Sequence, residues 1–317
     1  MKGTGNMHIL VYGAGVIGSV YAARLQEAGH TVTLLARGQR AADVQAHGIL
    51  LEYITKRRQT TTQVAVIEQL DPTATYDLVI VTVRYDHLAA ILPSLAANQQ
   101  IPIILFMVNN PEGMASFTML DSQRVMFGFP IVGGVRDGEV IRYRTVRFVP
   151  MPLGEVDGQV TPRLRQVAAV FKSAGFPVTL QANMPAWLKT HALVDVGMVT
   201  AVMLTQGKSA RLAQSPPRIR TMLQAIQEGL LALQAQGVPI TPRDIKVLFL
   251  WMPRWLAVPL WQWILRSGMI AVGLDSHPDN AREERRHLAS ALMTDLKHAP
   301  IDIPTLRGML AALDPAQ

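Results

Sequence analysis

Apolar residues in the first half of the chain arrive as short dense runs, and in the second half almost wholly at helical spacing. Ile9-Leu10-Val11, Thr31 to Leu35, Leu78 to Val83 and Ile101 to Val108 have the density of strands buried on both faces. Between the last two, Leu88, Ile91, Leu92 and Leu95 recur at helical spacing, so strand and helix alternate as in a parallel sheet with covering helices. Residues 87–111 carry no formal charge, but Pro93 and Asn98-Gln99-Gln100 divide them into helix, turn and strand. Past Asn110-Pro111 the pattern predicts a strand over 125–135, a turn at Asp137-Gly138 and a strand over 140–149, an antiparallel extension of the same sheet. A helix over 161–174 and a short apolar piece, Pro177 to Leu180, close this half. After Asn183 everything reads as helix. Met222, Leu223, Ile226, Leu230 and Leu233 share one side, ended by Gly237 and Pro239, and Ile303, Leu306, Met309, Leu310 and Leu313 repeat the pattern. Two domains are expected, 1–180 and 181–317, with a catalytic cleft between them.

The first strand ends in Gly13-Ala14-Gly15-Val16-Ile17-Gly18 and opens a helix. Gly13 permits the tight turn, Gly15 lets backbone amides approach a pyrophosphate, and Gly18 lets the helix pack on the strand. The positive end of the helix then faces the diphosphate. The fold class is therefore α/β, a Rossmann-type doubly wound sheet followed by an all-helical domain. Nineteen residues after Gly18, Arg37 closes the second strand. An acid there would bind the ribose 2′-hydroxyl of NAD, whereas a guanidinium pairs with a 2′-phosphate, which predicts NADP(H).

Composition narrows the remaining classes. The net charge of +7 is spread over both halves and only 6% of residues are aromatic, a poor match to a nucleic-acid-binding stripe; anionic small molecules are sufficient partners. With no cysteine, disulfides, thiolate catalysis and Cys-based metal sites are excluded, and the eight histidines show no metal-ligand spacing. The amino-terminal apolar run is spent on the strand and loop, so no signal peptide is read and a cytoplasmic location is expected. Val247 to Leu265 holds four of the five tryptophans. Its longest uncharged run, Trp255 to Leu265, is eleven residues, against the ~20 that span a bilayer. Buried helices or a homodimer surface are expected there rather than a membrane-surface helix.

Six landmarks in order resemble ketopantoate reductase (2-dehydropantoate 2-reductase) and its relatives. They are the loop at 13–18, Leu34-Leu35-Ala36-Arg37-Gly38, Val81-Thr82-Val83-Arg84, Asn109, Arg136-Asp137-Gly138 and Trp187-Leu188-Lys189. The resemblance implies an NADPH-dependent reductase of a 2-oxo acid or related ketone, with ketopantoate as the default substrate and a place in pantothenate biosynthesis. It makes Lys189 the general acid and Asn109 a residue that positions nicotinamide and substrate. It puts Arg84 near the 2′-phosphate, where relatives carry Lys, and Gly134 close to the cofactor. Counting back twenty residues from Pro304 gives Glu284, which would accept a hydrogen bond from the substrate hydroxyl and hold the lysine. Glu284 lies in the charge run 282–286, a pattern that also fits a solvated helix face.

The chain departs from the family at the substrate pocket. Two asparagines expected four and eight residues after the lysine are Leu193 and Gly197, and a serine falls at Ala271 or Val272. Apolar groups there discriminate against a polar substrate. They favour either a more apolar oxo acid or ketone, or a non-catalytic NADP-binding sensor or partner-binding protein.

Overall fold

The structure is a computed structural model that describes residues 5–55, 58–145, 149–267 and 279–312, with side chains of 279–283 excepted. The chain divides into two compact units. The first comprises residues 1–108 and 114–184, the second residues 109–113 and 185–317.

Among the described residues, twelve strands lie in the first unit: β1 His8–Tyr12, β2 Thr31–Leu35, β3 Ile49–Tyr53, β4 Arg58–Thr62, β5 Ala65–Ile67, β6 Leu78–Val81, β7 Ile104–Phe106, β8 Val125–Gly128, β9 Val132–Asp137, β10 Val140–Thr145, β11 Met151–Glu155 and β12 Val178–Leu180. Eight of them form one sheet in the order β12-β11-β8-β7-β6-β1-β2-β5. From β5 to β8 every pairing is parallel; β11 then runs antiparallel to β8. Helices α1 Val16–Glu27, α2 Gln39–His47, α3 Leu88–Ala97 and α4 Pro162–Ser173 belong to the same unit. The central strands are buried on both faces because nearly every side chain is aliphatic: Ile9, Leu10, Val11, Leu78, Val79, Ile80 and Val81 expose nothing. Burying each such side chain contributes about 1.5–3 kcal/mol. On α1, Tyr21 meets Phe171 and Phe176 edge-on at 5.3 and 4.9 Å, which ties the cofactor-loop helix to α4 and the chain after it.

The strand predicted over 125–135 is two strands. Pro130 has no N–H to give a ladder and interrupts the run, and the Phe129 amide turns to the Pro152 carbonyl at 3.1 Å. β8 stays in the main sheet. The β9–β10 hairpin, with its turn at Gly138 (φ +59°), joins β3 and β4 in a separate four-stranded sheet, β4-β3-β10-β9, and does not extend the first.

The second unit is helical: α5 Met184–Met203, α6 Ser209–Ala213, α7 Pro216–Ala235, a single turn α8 Arg243–Ile245 running into a π-helical turn Lys246–Trp251, α9 Arg254–Arg266, α10 Asp279–Leu296 and α11 Pro304–Ala311. Of the two expectations for the tryptophan-rich segment, burial within the unit holds for one of its four tryptophans, and a subunit surface is left for the others. Trp261 is 5% exposed, but Trp251, Trp255 and Trp263 are 59, 77 and 61% exposed. The helix needs only Ala257, Val258, Trp261 and Leu265 to cover its inner side.

Candidate active site

The glycine loop leaves β1 with Gly13 at φ +116°, a conformation that L side chains rarely adopt. Thr82, directly after β6, latches it: the Thr82 hydroxyl lies 3.1 Å from the Gly13 carbonyl and 3.3 Å from that of Tyr12. A Cβ on Gly18 would stand 1.9 Å from the Gly13 carbonyl oxygen and 2.5 Å from Thr82 Oγ1, so the first turn of α1 can lie this close only as glycine. A Cβ on Gly15 would meet nothing within 4 Å. Gly15 is the N-cap of α1, has no side chain to satisfy the first-turn amides of Val16 and Ile17, and is followed by no acid in that turn. Open space before uncapped amides at the positive end of a helix suits a diphosphate.

The other expected cofactor residues follow the carboxyl ends of neighbouring parallel strands, in the order β2-β1-β6-β7. The chain leaves β1 for β2 on one side, while β6 lies on the other; this crevice, where the strand order reverses, is where open α/β sheets bind ligands. Arg37, two residues past β2, is exposed and donates to the Tyr12 hydroxyl at 3.4 Å. Arg84, three residues past β6, holds Asp86 through two hydrogen bonds of 3.0 and 2.5 Å. Asn109, three residues past β7, carries a buried Oδ1 with no hydrogen-bond partner among the described residues. Gly134 has a different reason to be glycine: on β9, its Cβ would strike the Arg142 carbonyl oxygen of β10 at 2.2 Å.

Sequence reasoning missed two residues behind the loop. Arg40 on α2 is 8% exposed and donates to the Ser19 hydroxyl at 3.2 Å; Ser19 in turn donates to the Ala14 carbonyl at 3.2 Å. Burial first, and the Arg136 charge second, push the Arg40 pKa down. Nothing in the sequence flags this pair, because an arginine in a helical segment normally reads as a solvated face.

In the second unit, Lys189 on α5 donates to both carboxylate oxygens of Asp295 on α10, at 2.7 and 2.8 Å, with both side chains about four-fifths buried. The carboxylate against the lysine is therefore Asp295 and not Glu284. Glu284 lies eleven residues earlier on the same helix, about 16 Å along its axis at ~1.5 Å per residue. Asp295 is fixed at its backbone by the Gln236 side-chain amide, which donates to its carbonyl at 2.8 Å. Further along the two helices Asp195 faces Arg285 at 3.7 Å. His191 stacks on Trp187 with ring centroids 4.7 Å apart, and burial pushes its pKa down against the opposing pull of Asp195.

Leu193 and Gly197 serve helix packing. A Cβ on Gly197 would meet Ile226 Cγ1 at 2.5 Å, and the Leu193 methyl groups occupy the space over Gly229, both on α7. The positions expected to carry pocket asparagines are thus core in this chain. Ala271 and Val272 lie outside the described residues.

A glycine-rich turn at the switch point of a parallel sheet, followed in the chain by a helical unit, is the architecture of the Rossmann-type nucleotide-binding proteins. Residues 9–151 match the family model of ketopantoate reductase PanE/ApbA. The 2-dehydropantoate 2-reductase of Halobacterium salinarum is 26% identical over 243 residues, 74% of this chain and 78% of that protein. Among solved structures, 2-dehydropantoate 2-reductase from Geobacter metallireducens superposes with a TM-score of 0.78 at 16% identity, covering 98% of this chain and 99% of the other. A D-mandelate dehydrogenase in a ternary structure with NADH and anilino(oxo)acetate gives 0.75 at 13% identity, with 96% of each chain covered. At these identities the structural likeness is one of fold. Over residues 9–151 the chain is similar to the ketopantoate reductase family, and its fold is that of the solved ketopantoate reductases.

Proposed function

We propose that this protein is an NADPH-dependent reductase of a 2-oxo acid or related ketone, with Lys189 as its proton donor. The observation that carries the reading is the Oδ1 of Asn109, three residues past β7, buried and without a hydrogen-bond partner among the described residues. A buried acceptor left without a donor costs about 1–3 kcal/mol, which a bound ligand's N–H or O–H would remove. The uncapped start of α1 would take the diphosphate, and Arg37, whose guanidinium makes no ion pair among the described residues, would take the 2′-phosphate. Arg84 is already committed to Asp86 and adds charge rather than discrimination.

When bound, the reduced nicotinamide supplies hydride to the substrate carbonyl carbon. Negative charge then grows on the carbonyl oxygen, and the Lys189 ammonium stabilises it and donates the proton. An ammonium has three N–H groups; with the carboxylate of Asp295 fixing its direction, one remains for the substrate. Asp295 is accordingly a positioning residue, and Asn109 with Lys189 would orient the substrate. With Leu193 and Gly197 packed against α7, the hydrogen bonds that asparagines there would give ketopantoate are missing, so a less polar oxo acid loses nothing at these positions. The test is a screen of NADPH and NADH oxidation against a panel of 2-oxo acids that includes ketopantoate and phenyl- or branched-chain members. Turnover with NADPH, favoured over NADH and highest on the apolar members, is expected; no oxidation of either coenzyme with any member would refute the reading.

A further inference from the structure

Three exposed tryptophans fall within thirteen residues of the second unit, two of them on one face of α9. On α9, Trp255, Leu256, Pro259 and Trp263 are all exposed and follow one another at helical spacing, opposite the buried Ala257, Val258, Trp261 and Leu265. The preceding π-helical turn adds Val247 and Trp251, 40 and 59% exposed. So α9 is apolar on both sides, and its outward side is built around aromatic rings. An apolar surface of this extent marks an interaction site.

Its charges indicate the partner. From residue 243 to 267 the chain carries Arg243, Lys246, Arg254 and Arg266 against one acid, Asp244. Arg243 and Arg266 are exposed, and the Arg243 guanidinium sits 6.0 Å from the centre of the Trp251 ring, so cation and aromatic surface lie side by side. A second copy docked about a two-fold axis would set this basic, acid-poor surface against itself. A layer of anionic headgroups pairs with the bases and accepts indole rings, whose flat apolar body and N–H suit the boundary between headgroups and acyl chains. Among the described residues no helix is long and apolar enough to cross a membrane, and α9, about 20 Å long at ~1.5 Å per residue, suits one lying flat.

We propose that the surface formed by residues 243–266 docks on anionic phospholipid bilayers, with Trp251, Trp255 and Trp263 entering the headgroup region and Arg243 and Arg266 pairing with phosphates. This is independent of the reductase reading, because it involves none of the residues assigned to that reaction. The test is co-sedimentation of the full chain with vesicles of equal parts phosphatidylglycerol and phosphatidylcholine, and with phosphatidylcholine alone. Binding to the anionic vesicles is expected, weaker by at least about tenfold on the neutral ones and in molar salt. Replacing Trp255→Gln and Trp263→Gln together should lower it about tenfold or more, while circular dichroism stays unchanged because both side chains are exposed. Wild-type protein that stays in the supernatant with anionic vesicles overturns the proposal, as does undiminished binding of a folded double variant. If the wild type ignores vesicles yet is a dimer that the double variant converts to a monomer, the surface is a protein interface and the proposal is wrong.

Discussion

At the level of single residues, the parts of the site that were legible are those whose chemistry depends on lacking a side chain. Gly13, Gly15 and Gly18 announce themselves by spacing; the backbone requires glycine at Gly13, through its positive φ, and at Gly18, through its approach to the Gly13 carbonyl, while Gly15 borders open space. Partners brought together from distant sequence were not legible. Asp295 is 106 residues from Lys189, and nothing in Met293-Thr294-Asp295 separates it from any helix carboxylate. The spacing rule that led to Glu284 reaches the helix that carries Asp295, eleven residues before it. The pairing carries a direct prediction: Asp295→Asn keeps the shape of the side chain but removes the charge that holds the ammonium. Steady-state kinetics on the best substrate should show kcat reduced about 10- to 100-fold. Coenzyme affinity should change less than about threefold, since the glycine loop is untouched. An unchanged kcat would mean that the ion pair is only structural.

Among elements, dense aliphatic runs identified β1, β2, β6 and β7 because a strand buried on both faces has no polar positions to blur the pattern. The second sheet was obscured for the opposite reason. β4 reads Arg58-Gln59-Thr60-Thr61-Thr62, half-exposed and polar, and gives periodicity nothing to detect. The hairpin turn at Asp137-Gly138 was visible, but which sheet receives a hairpin is settled by strand order, a long-range property. The α5–α7 packing tests the account at this scale. An asparagine at position 197, as the resemblance leads one to expect, requires a side chain where Ile226 already stands 2.5 Å from the first added atom. Gly197→Asn should therefore destabilise the protein by about 1–3 kcal/mol, read as a lower denaturant midpoint, without improving turnover of ketopantoate. A variant as stable as the wild type and more active on ketopantoate would return position 197 to the substrate pocket.

For the molecule as a whole, two histidines couple stability to acidity. His30, 4% exposed, accepts the Met7 amide at Nδ1 (3.3 Å) and meets the Ser173 hydroxyl at 3.1 Å; burial pushes its pKa down. His191 is shifted the same way. A histidine unfolds to an ordinary value of about 6.5, so below that pH the unfolded chain takes up protons that the folded one resists. Their contribution is complete above about pH 6.5 and is lost as pH falls from there toward the depressed folded values. The denaturant midpoint should thus drop between pH 7.5 and 5.5, and drop less in His30→Asn; equal drops would exclude His30 as a contributor.

The two-unit organisation was legible from the change of period near residue 180, and the chain passes from the first unit to the second after Met184. The return of residues 109–113 to the second unit was not, because a five-residue excursion has no period of its own. That excursion puts Asn109 in the same unit as Lys189, while the glycine loop stays in the other. Under the proposed function, Lys189 gives a proton to a substrate that NADPH reduces. The most direct measurement is Lys189→Ala, followed both by NADPH binding through coenzyme fluorescence and by NADPH oxidation on the best substrate of the panel. The account predicts unchanged NADPH affinity with turnover reduced about 10²- to 10⁴-fold. Equal turnover in the two proteins would contradict it, and leave a coenzyme-binding chain whose Lys189–Asp295 pair serves the helical core alone.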